Sequence, residues 1–136
     1  RRSESKLHLV YFSYREDFEY LAISLRSLSR LSDVGIASLT IVEDVRLPFT
    51  DLMRSELTAI FPELNFSRLG KIDWASVDTL QTELTAFYEA SLDAGPDDFI
   101  VKVDSDVLFL SSGLINLIRR SSFNFVGDGH YCDYQY

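Results

Sequence analysis

The chain has 136 residues, enough for one domain, and its hydrophobic fraction of 46% is sufficient for a buried core. Its 21 acidic and 13 basic side chains give a net charge of −8, which argues against a broad surface for nucleic acids or anionic membranes. The single cysteine, Cys132, excludes an intrachain disulfide and a cysteine-rich zinc site. No apolar stretch reaches the roughly 20 residues that a membrane-spanning helix needs. We therefore expect a cytoplasmic domain with no membrane span and no nucleic-acid partner.

Short apolar runs alternate with helical patterns along most of the chain. Residues 7–12, 39–42, 64–69 and 99–103 have the length and composition of strands. Between them, apolar residues recur at the spacing of a helical face. These residues are Phe18, Leu21, Ala22, Leu25 and Leu28, then Leu52, Met53, Leu57 and Ile60 before Pro62, and then Leu80, Leu84, Phe87 and Tyr88 before Gly95 and Pro96.

The third helical pattern has the clearest boundaries. Asp78 is expected to cap its amino end, with Gln81 three residues later, and its apolar side chains are expected to face inward. After the last of the four strands, further elements are predicted. They are a short helix marked by Leu114, Leu117 and Ile118, a strand at residues 123–126, and a turn at residues 127–129.

Strands that alternate with helices predict parallel βαβ units, and right-handed crossovers place helices on both faces of the sheet. We therefore expect an α/β fold, a Rossmann-like three-layer α/β/α sandwich with a mainly parallel sheet, formed by residues 1–136 as a single domain. Ligands of such sheets bind beyond the carboxyl ends of the strands. The residues just past these ends are Ser13, Tyr14 and Arg15, then Glu43 and Asp44, then Lys71, and then Asp104 and Asp106.

Asp104 and Asp106 interrupt a run at residues 99–110 that is otherwise almost entirely apolar. An ionised Asp beside apolar residues is costly to bury unless a cation or hydrogen-bond donors compensate it. If the extended conformation continues through Ser105, both side chains point to the same side and can converge on one ion. Hard oxygen ligands favour Mg²⁺ or Mn²⁺ over zinc. Because Asp also occurs at ordinary strand exits, where it caps backbone donors, a purely structural role stays open here.

The order of elements, the acidic end of the second strand and the sequence Val-Asp-Ser-Asp-Val at residues 103–107 resemble the donor-binding half of a glycosyltransferase with the A-type fold, a nucleotide-diphospho-sugar transferase. The resemblance covers most of the chain, but only the Asp-x-Asp stretch is specific. It implies that Asp106 binds Mn²⁺ or Mg²⁺ directly and that Asp104 contacts both the metal and the donor ribose. The expected partner is a nucleotide diphosphate sugar of the UDP or GDP type.

The resemblance also assigns the other end of the donor. Asp44 would accept a hydrogen bond from the base or the ribose, and Ser13 and Tyr14 would line the base pocket. Lys71 or Arg15 would add positive charge at the same rim.

In this family the acceptor site, the catalytic base of inverting members and commonly a third metal ligand belong to a C-terminal half that has no counterpart in this sequence. The catalytic residues and the acceptor are therefore not identified, and we expect the natural protein to be longer. A lone histidine near a tail is more often structural than a ligand, so His130 is not expected to supply the third ligand.

Two other classes of protein stay open. In a haloacid dehalogenase-type phosphohydrolase, Asp104 would be the nucleophile and Asp106 the general acid or base. That family usually carries its motif on the first strand with a lysine downstream, whereas three predicted strands come first here and no lysine follows Lys102. The second alternative is a non-catalytic binding or assembly module of the same fold, which would form homo-oligomers. The glycine patterns of dinucleotide-binding and P-loop domains are absent from the sequence.

Overall fold

The computed structural model describes residues 5–31, 34–73 and 76–120. Within them, strands and helices alternate, which confirms the four strands and four helices predicted for this part of the chain. The predicted strand at 123–126 and the turn after it lie outside the described residues. The elements are β1 (Leu7–Ser13), a 3₁₀ turn (Arg15–Asp17), α1 (Phe18–Ser29), β2 (Ile36–Asp44), α2 (Asp51–Ile60), β3 (Leu64–Gly70), α3 (Val77–Leu92), β4 (Phe99–Asp104) and α4 (Gly113–Arg120).

The four strands form one sheet in the order β3-β2-β1-β4, and every neighbouring pair is parallel. The register places Ser13 beside Glu43 and Phe12 beside Asp104. All four strands therefore end at the same edge of the sheet. This is the expected Rossmann-like three-layer α/β/α fold. None of the described helices is both long enough and apolar enough to cross a membrane.

The sheet separates two hydrophobic cores because successive side chains of a strand point to opposite faces. The larger core lies under α1, α2 and α4, and the smaller one lies under α3. Buried residues of the larger core include Leu9, Tyr11, Leu25, Ile41, Leu57, Val103 and Ile115. Those of the smaller core are Val10, Phe12, Val42, Ile72 and Ala86. The two central strands, β1 and β2, contribute to both cores and hold the layers together.

Two hydroxyl groups fix α1 within the larger core. The hydroxyl of Tyr11 on β1 shares a hydrogen bond of 2.8 Å with Ser24 Oγ on α1. Burial raises the pKa of Tyr11 to about 12, although the hydrogen bond to Ser24 acts in the opposite direction. Ser27 Oγ accepts a hydrogen bond of 2.9 Å from the backbone N–H of Phe109. The segment that follows β4 is therefore attached to α1.

The start of α3 differs from the prediction. Its N-cap is Ser76, whose Oγ accepts a hydrogen bond of 3.1 Å from the backbone N–H of Thr79. The prediction that Asp78 caps the helix was wrong, because Asp78 already lies in the first turn. A carboxylate in the first turn still interacts favourably with the positive end of the helix dipole.

Of the four α3 side chains predicted to face inward, Phe87 packs against the smaller core and the ring of Phe12, whereas the prediction was wrong for Leu80, Leu84 and Tyr88. Thr82 and Ala86 are buried, and Phe87 is half-buried. The contact is close, since a Cβ added at Gly70 would lie 2.4 Å from Thr82 Oγ1. The helix thus packs through Thr82, Ala86 and Phe87, whereas its other large apolar residues are exposed to solvent. The exposed fractions are 55% for Leu80, 58% for Leu84 and 65% for Tyr88.

A buried histidine joins the opposite, amino edge of the sheet. His8 Nδ1 lies 2.8 Å from Ser38 Oγ, and His8 Nε2 lies 3.1 Å from Asp98 Oδ2. Burial opposes ionisation of Asp98, but hydrogen bonds from the backbone N–H groups of Lys6 and Gly95 and from His8 hold its pKa below the ordinary value. These contacts connect the starts of β1, β2 and β4, so His8 has a structural role.

Candidate functional site

Ser13 and Tyr14 lie where β1 ends at the carboxyl edge of the sheet. Ser13 is buried, and its Oγ donates a hydrogen bond of 3.3 Å to the carbonyl of Tyr14. Tyr14 is half-buried and precedes the 3₁₀ turn at Arg15–Asp17. Of the two residues predicted to line a base pocket, Tyr14 therefore has the surface that a ligand can reach.

The two basic residues predicted at this rim differ in their contacts. Arg15 donates hydrogen bonds to the carbonyl of Pro48, one of them from Nε over 2.7 Å and the other from Nη2. Arg15 therefore connects the β1–α1 loop to the β2–α2 loop. Lys71 directly follows β3 and is exposed, and its carbonyl accepts a hydrogen bond of 3.2 Å from Thr82 Oγ1. The charge of Lys71 lies at the surface of the rim.

Asp44, the last residue of β2, is a nearly covered carboxylate whose side chain is 4% exposed. Oδ1 accepts hydrogen bonds from the backbone N–H and from Nε of Arg46, over 2.8 and 2.9 Å. Oδ2 accepts from Arg46 Nη2 over 2.5 Å and from the backbone N–H of Ile72 over 2.9 Å. The hydrogen bonds from the Arg46 side chain hold the pKa of Asp44 well below its ordinary value, against the opposing effect of burial. Asp44 is therefore ionised at neutral pH.

Arg46 connects Asp44 to the next loop. Its Nη2 also donates to Asp73 Oδ1 over 2.7 Å, so its guanidinium joins the β2–α2 loop to the β3–α3 loop. The hydrogen bonds to both carboxylates raise the pKa of Arg46. Tyr14 belongs to the same electrostatic environment, because burial and the negative charges of Asp73 and Asp44 raise the pKa of its phenol. We call Tyr14, Asp44, Arg46 and Asp73 the arginine cluster.

Glu43 precedes Asp44 but points to the other face of the sheet, where it is buried. Arg54 of α2 donates to both of its carboxylate oxygens, from Nη2 over 2.9 and 2.7 Å. Arg68 of β3 donates to Oε2 over 3.2 Å, and the backbone N–H of Phe49 donates to Oε1 over 2.8 Å. Glu43 therefore fixes α2 and β3 to the sheet.

Asp104 and Asp106 lie at the end of β4, on the same edge of the sheet. The strand ends at Asp104, and a turn follows in which the backbone N–H of Val107 donates to the Asp104 carbonyl over 3.2 Å. The extended conformation does not continue through Ser105, so the condition under which the two side chains would share a strand face is not met. Asp104 and Asp106 are the first and third residues of this turn, so both belong to the same short loop at the carboxyl edge. Both residues are exposed.

Lys102 is the basic group next to this turn. Its Nζ lies 3.4 Å from Asp104 Oδ1 and 3.3 Å from Glu83 Oε1 on α3, and 5.9 Å from the ring centroid of Phe12. Burial lowers the pKa of Lys102, but the Asp104 and Glu83 carboxylates outweigh burial and the pKa is raised. Exposed ion pairs contribute about 0–1 kcal/mol, so Lys102 does not prevent another cation from approaching Asp104.

The chemistry of the turn fits a hard divalent cation. Mg²⁺ typically binds through one or two carboxylates and takes its other ligands from water and substrate phosphates. Asp104 and Asp106 supply two such carboxylates at an open edge. Within residues 5–31, 34–73 and 76–120, no group of three or more His, Cys, Asp or Glu side chains is placed to hold a metal. A cation here would need oxygen atoms from a ligand, and His130 lies outside the described residues.

The sequence prediction did not include Arg46 and Asp73. Arg46 had a usable signal, since an Asp at a strand end with an Arg two residues later is typical of a turn in which the carboxylate accepts local backbone N–H groups. Asp73 had no such signal, because its contact with Arg46 spans 27 residues of sequence and depends on the β2–β3 pairing.

The carboxyl edge thus has two parts, the arginine cluster beyond β1, β2 and β3, and the acidic turn of Asp104 and Asp106 beyond β4. In this fold, ligands bind outside the carboxyl ends of the strands. A scan of the sequence against models of known protein families finds no match, and a search of curated proteins finds no similar chain. The interpretation of this edge therefore depends on its geometry and chemistry.

Proposed function

We propose that this domain binds a nucleotide diphosphate sugar of the UDP or GDP type together with Mn²⁺ or Mg²⁺, as the donor-binding domain of a glycosyltransferase. The observation that carries the proposal is the common edge of the sheet. It brings a half-buried aromatic ring, Tyr14, and an exposed pair of carboxylates, Asp104 and Asp106, to the ends of parallel strands.

The acidic turn would receive the diphosphate. Asp104 and Asp106 would hold the cation, which supplies Lewis-acid stabilisation to a diphosphate leaving group. Lys102 contributes positive charge beside this turn, so the diphosphate would not face carboxylates alone. Lys71 lies farther along the same edge, beyond β3.

The arginine cluster would receive the nucleoside. The ring of Tyr14 offers a face on which a base can stack, and base–aromatic stacking contributes about 1–3 kcal/mol. Asp44 and Asp73 lie beside it with their charges compensated by Arg46. A nucleoside would therefore meet a preformed polar wall rather than a pair of bare carboxylates.

The test is a thermal-shift titration with MnCl₂ and UDP or GDP, alone and combined. A ligand that binds only the folded state raises the melting temperature, and a concentration about 100-fold above its dissociation constant should raise it by about 5–10 °C. We expect this shift only when metal and nucleotide are both present. Asp106→Ala should abolish the metal-dependent part.

Asp97→Ala is the matched control. Asp97 is an exposed aspartate just before β4, at the opposite edge of the sheet, so its removal changes the net charge in the same way without altering the acidic turn. It should retain the full shift. If wild type shows no shift with either nucleotide, or if Asp97→Ala loses as much as Asp106→Ala, the proposal is contradicted.

A second candidate function, self-association as an assembly module, is favoured by the outer face of α3. This face carries large apolar side chains at helical spacing that are at least half exposed, and such contiguous patches are typical of interaction surfaces. Its members are Val77, Leu80, Leu84, Tyr88 and Leu92. Sedimentation velocity at rising protein concentration, compared with Leu84→Glu, would detect a dimer formed through this face. A monomer at all concentrations would remove this candidate.

A further inference from the structure

The arginine cluster contains an acceptor group whose capacity is already used. A carboxylate has about four lone-pair positions. Asp44 receives two hydrogen bonds on Oδ1 and two on Oδ2, all from Arg46 and Ile72. With its side chain 4% exposed, Asp44 has neither the surface nor the free lone pairs to accept an N–H group from a base. This departs from the role that the family resemblance implies for Asp44.

Arg46, in contrast to Asp44, has hydrogen-bonding capacity that the described residues do not use. A guanidinium has five N–H donors in one plane. Nε and Nη2 of Arg46 donate to Asp44, and Nη2 also donates to Asp73, whereas Nη1 makes no hydrogen bond to any described residue. The side chain is 48% exposed. Its two carboxylate partners fix the guanidinium, so the unused amino group is held at the surface rather than moving freely.

The aromatic ring of Tyr14 lies in the same cluster. Ser13 pairs with Glu43, so Tyr14 and Asp44 are the next residues at the ends of two neighbouring strands. The charges of Asp44, Asp73 and Arg46 also act on the phenol of Tyr14. An aromatic face for stacking and a fixed pair of N–H donors at its side are the elements of base recognition by edge contacts. A group that offers donors is complementary to the carbonyl oxygen of a base and unfavourable for an amino group.

We infer that Arg46 is the specificity-determining residue of the nucleotide site, and that its Nη1 recognises the carbonyl edge of a keto base, uracil or guanine. This inference rests on the proposed function of the same edge. It assigns Asp44 and Asp73 as positioning residues that orient Arg46. It therefore predicts preference for UDP over CDP, which has an amino group at the corresponding position of its pyrimidine, and for GDP over ADP, which has one on its purine.

The experiment is isothermal titration calorimetry of the full chain with UDP, CDP, GDP and ADP, each in MnCl₂ and each in EDTA. Wild type should bind at least one keto nucleotide about tenfold more tightly than its amino counterpart, within the discrimination that an arginine contact to a base provides. In Arg46→Ala, this ratio should fall to about threefold or less, while binding remains dependent on Mn²⁺.

Arg46→Lys is the second variant. It keeps a positive charge beside Asp44 and so protects the fold, but it lacks the planar group that holds Nη1 in place. It should also lose the keto preference. Arg26→Ala, which removes an exposed arginine of α1, is the matched control and should keep the wild-type ratio.

The outcomes separate the two proposals. If wild type binds no nucleoside diphosphate with or without Mn²⁺, the proposed function is wrong and this inference is wrong with it. If wild type binds nucleotides with Mn²⁺ but shows no keto preference, or if Arg46→Ala or Arg46→Lys keeps that preference, only the inference about Arg46 is overturned. A loss of the preference in both variants, with metal dependence intact, supports it.

Discussion

Glu43 and Asp44 are consecutive acidic residues at the end of β2, and both are buried, yet they belong to different regions of the molecule. Glu43 faces the larger core and binds Arg54 and Arg68, which fix α2 and β3 to the sheet. Asp44 faces the side of α3 and holds Arg46, a partly exposed residue with a donor group that bonds to none of the residues the structure describes. Burial of a carboxylate therefore does not by itself identify a functional site. Exposure of its partner does not identify one either, since Arg68 and Arg46 are both 48% exposed. The two cases differ in what the partners join, because Arg54 and Arg68 belong to α2 and β3, whereas Arg46 joins two loops of the carboxyl edge.

The sharpest test of this contrast is Glu43→Gln. The amide keeps the shape but leaves two guanidinium groups without a counter-charge, and breaking a buried ion pair typically costs about 3–5 kcal/mol. Because Arg54 and Arg68 are 24% and 48% exposed, water compensates part of the loss, and we expect about 3 kcal/mol. Urea denaturation measures the free energy of unfolding, with the exposed Glu63→Gln as control. If the loss for Glu43→Gln exceeds that for Glu63→Gln by less than about 1 kcal/mol, Glu43 is not an anchor.

Asp44→Asn should cost less, about 1–2 kcal/mol at neutral pH, because one oxygen remains and Arg46 can be hydrated. The effect should depend on pH. The pKa of Asp44 is lowered from its ordinary 3.8 in the folded state, so its stabilisation is fully present above that value and is lost as the pH falls through the lower folded-state pKa. The difference between wild type and Asp44→Asn should thus be constant above about pH 5 and shrink below about pH 4. Urea denaturation of both proteins at a series of pH values measures this difference, and a difference that stays constant down to about pH 2 would contradict the prediction.

Tyr11→Phe tests the hydroxyl pair on the larger-core side. The substitution leaves Ser24 Oγ without its partner in a buried position, so we expect a loss of about 1 kcal/mol in the free energy of unfolding. An alkaline titration followed by the near-ultraviolet absorbance of tyrosinate should also change. The step contributed by the Tyr11 phenol, with its pKa of about 12, should be missing in the variant. An unchanged titration would argue against burial of this hydroxyl.

Leu84→Gln should have the smallest effect. Leu84 is 58% exposed on the outer face of α3, and surface substitutions usually change stability by less than about 0.5 kcal/mol. Ala86→Leu on the inner face should instead destabilise by about 1–3 kcal/mol through overpacking. The two losses of stability can be compared by thermal unfolding of both variants at low protein concentration, where any association is negligible. Equal losses would mean that the helix is rotated relative to the orientation described.

Periodicity in the sequence was sufficient to predict the strands, the helices and the parallel sheet, because each strand is a short apolar run and each helix has an apolar stripe. It failed for α3, where two stripes compete. Leu80, Leu84 and Tyr88 form the more hydrophobic stripe, but the close approach at Gly70 favours the smaller side chains of Thr82 and Ala86. Which stripe faces the sheet depends on the distance between layers, which single-sequence patterns do not contain.

For the candidate site, the sequence predicted which residues meet at one edge of the sheet but not the hydrogen bonds between them. The rule that parallel strands end at one edge correctly brought Ser13, Asp44 and Asp104 to the same edge of the sheet. The rule does not describe how side chains share hydrogen bonds once they meet. Arg46 fills the lone pairs of Asp44, and a turn rather than an extended segment carries Asp106. Both features depend on local loop geometry and, for Asp73, on contacts between residues distant in sequence.

Arginine side chains join three of the loops at the carboxyl edge to one another. Arg15 connects the β1–α1 loop to the β2–α2 loop, and Arg46 connects the β2–α2 loop to the β3–α3 loop. Within the described residues, the segment after β4 is attached instead to α1, through the N–H of Phe109 and Ser27. The turn after β4 is therefore structurally independent of the three joined loops. During evolution, substitutions in the turn that begins at Asp104 can alter one part while the three coupled loops keep their shape, and the reverse also holds.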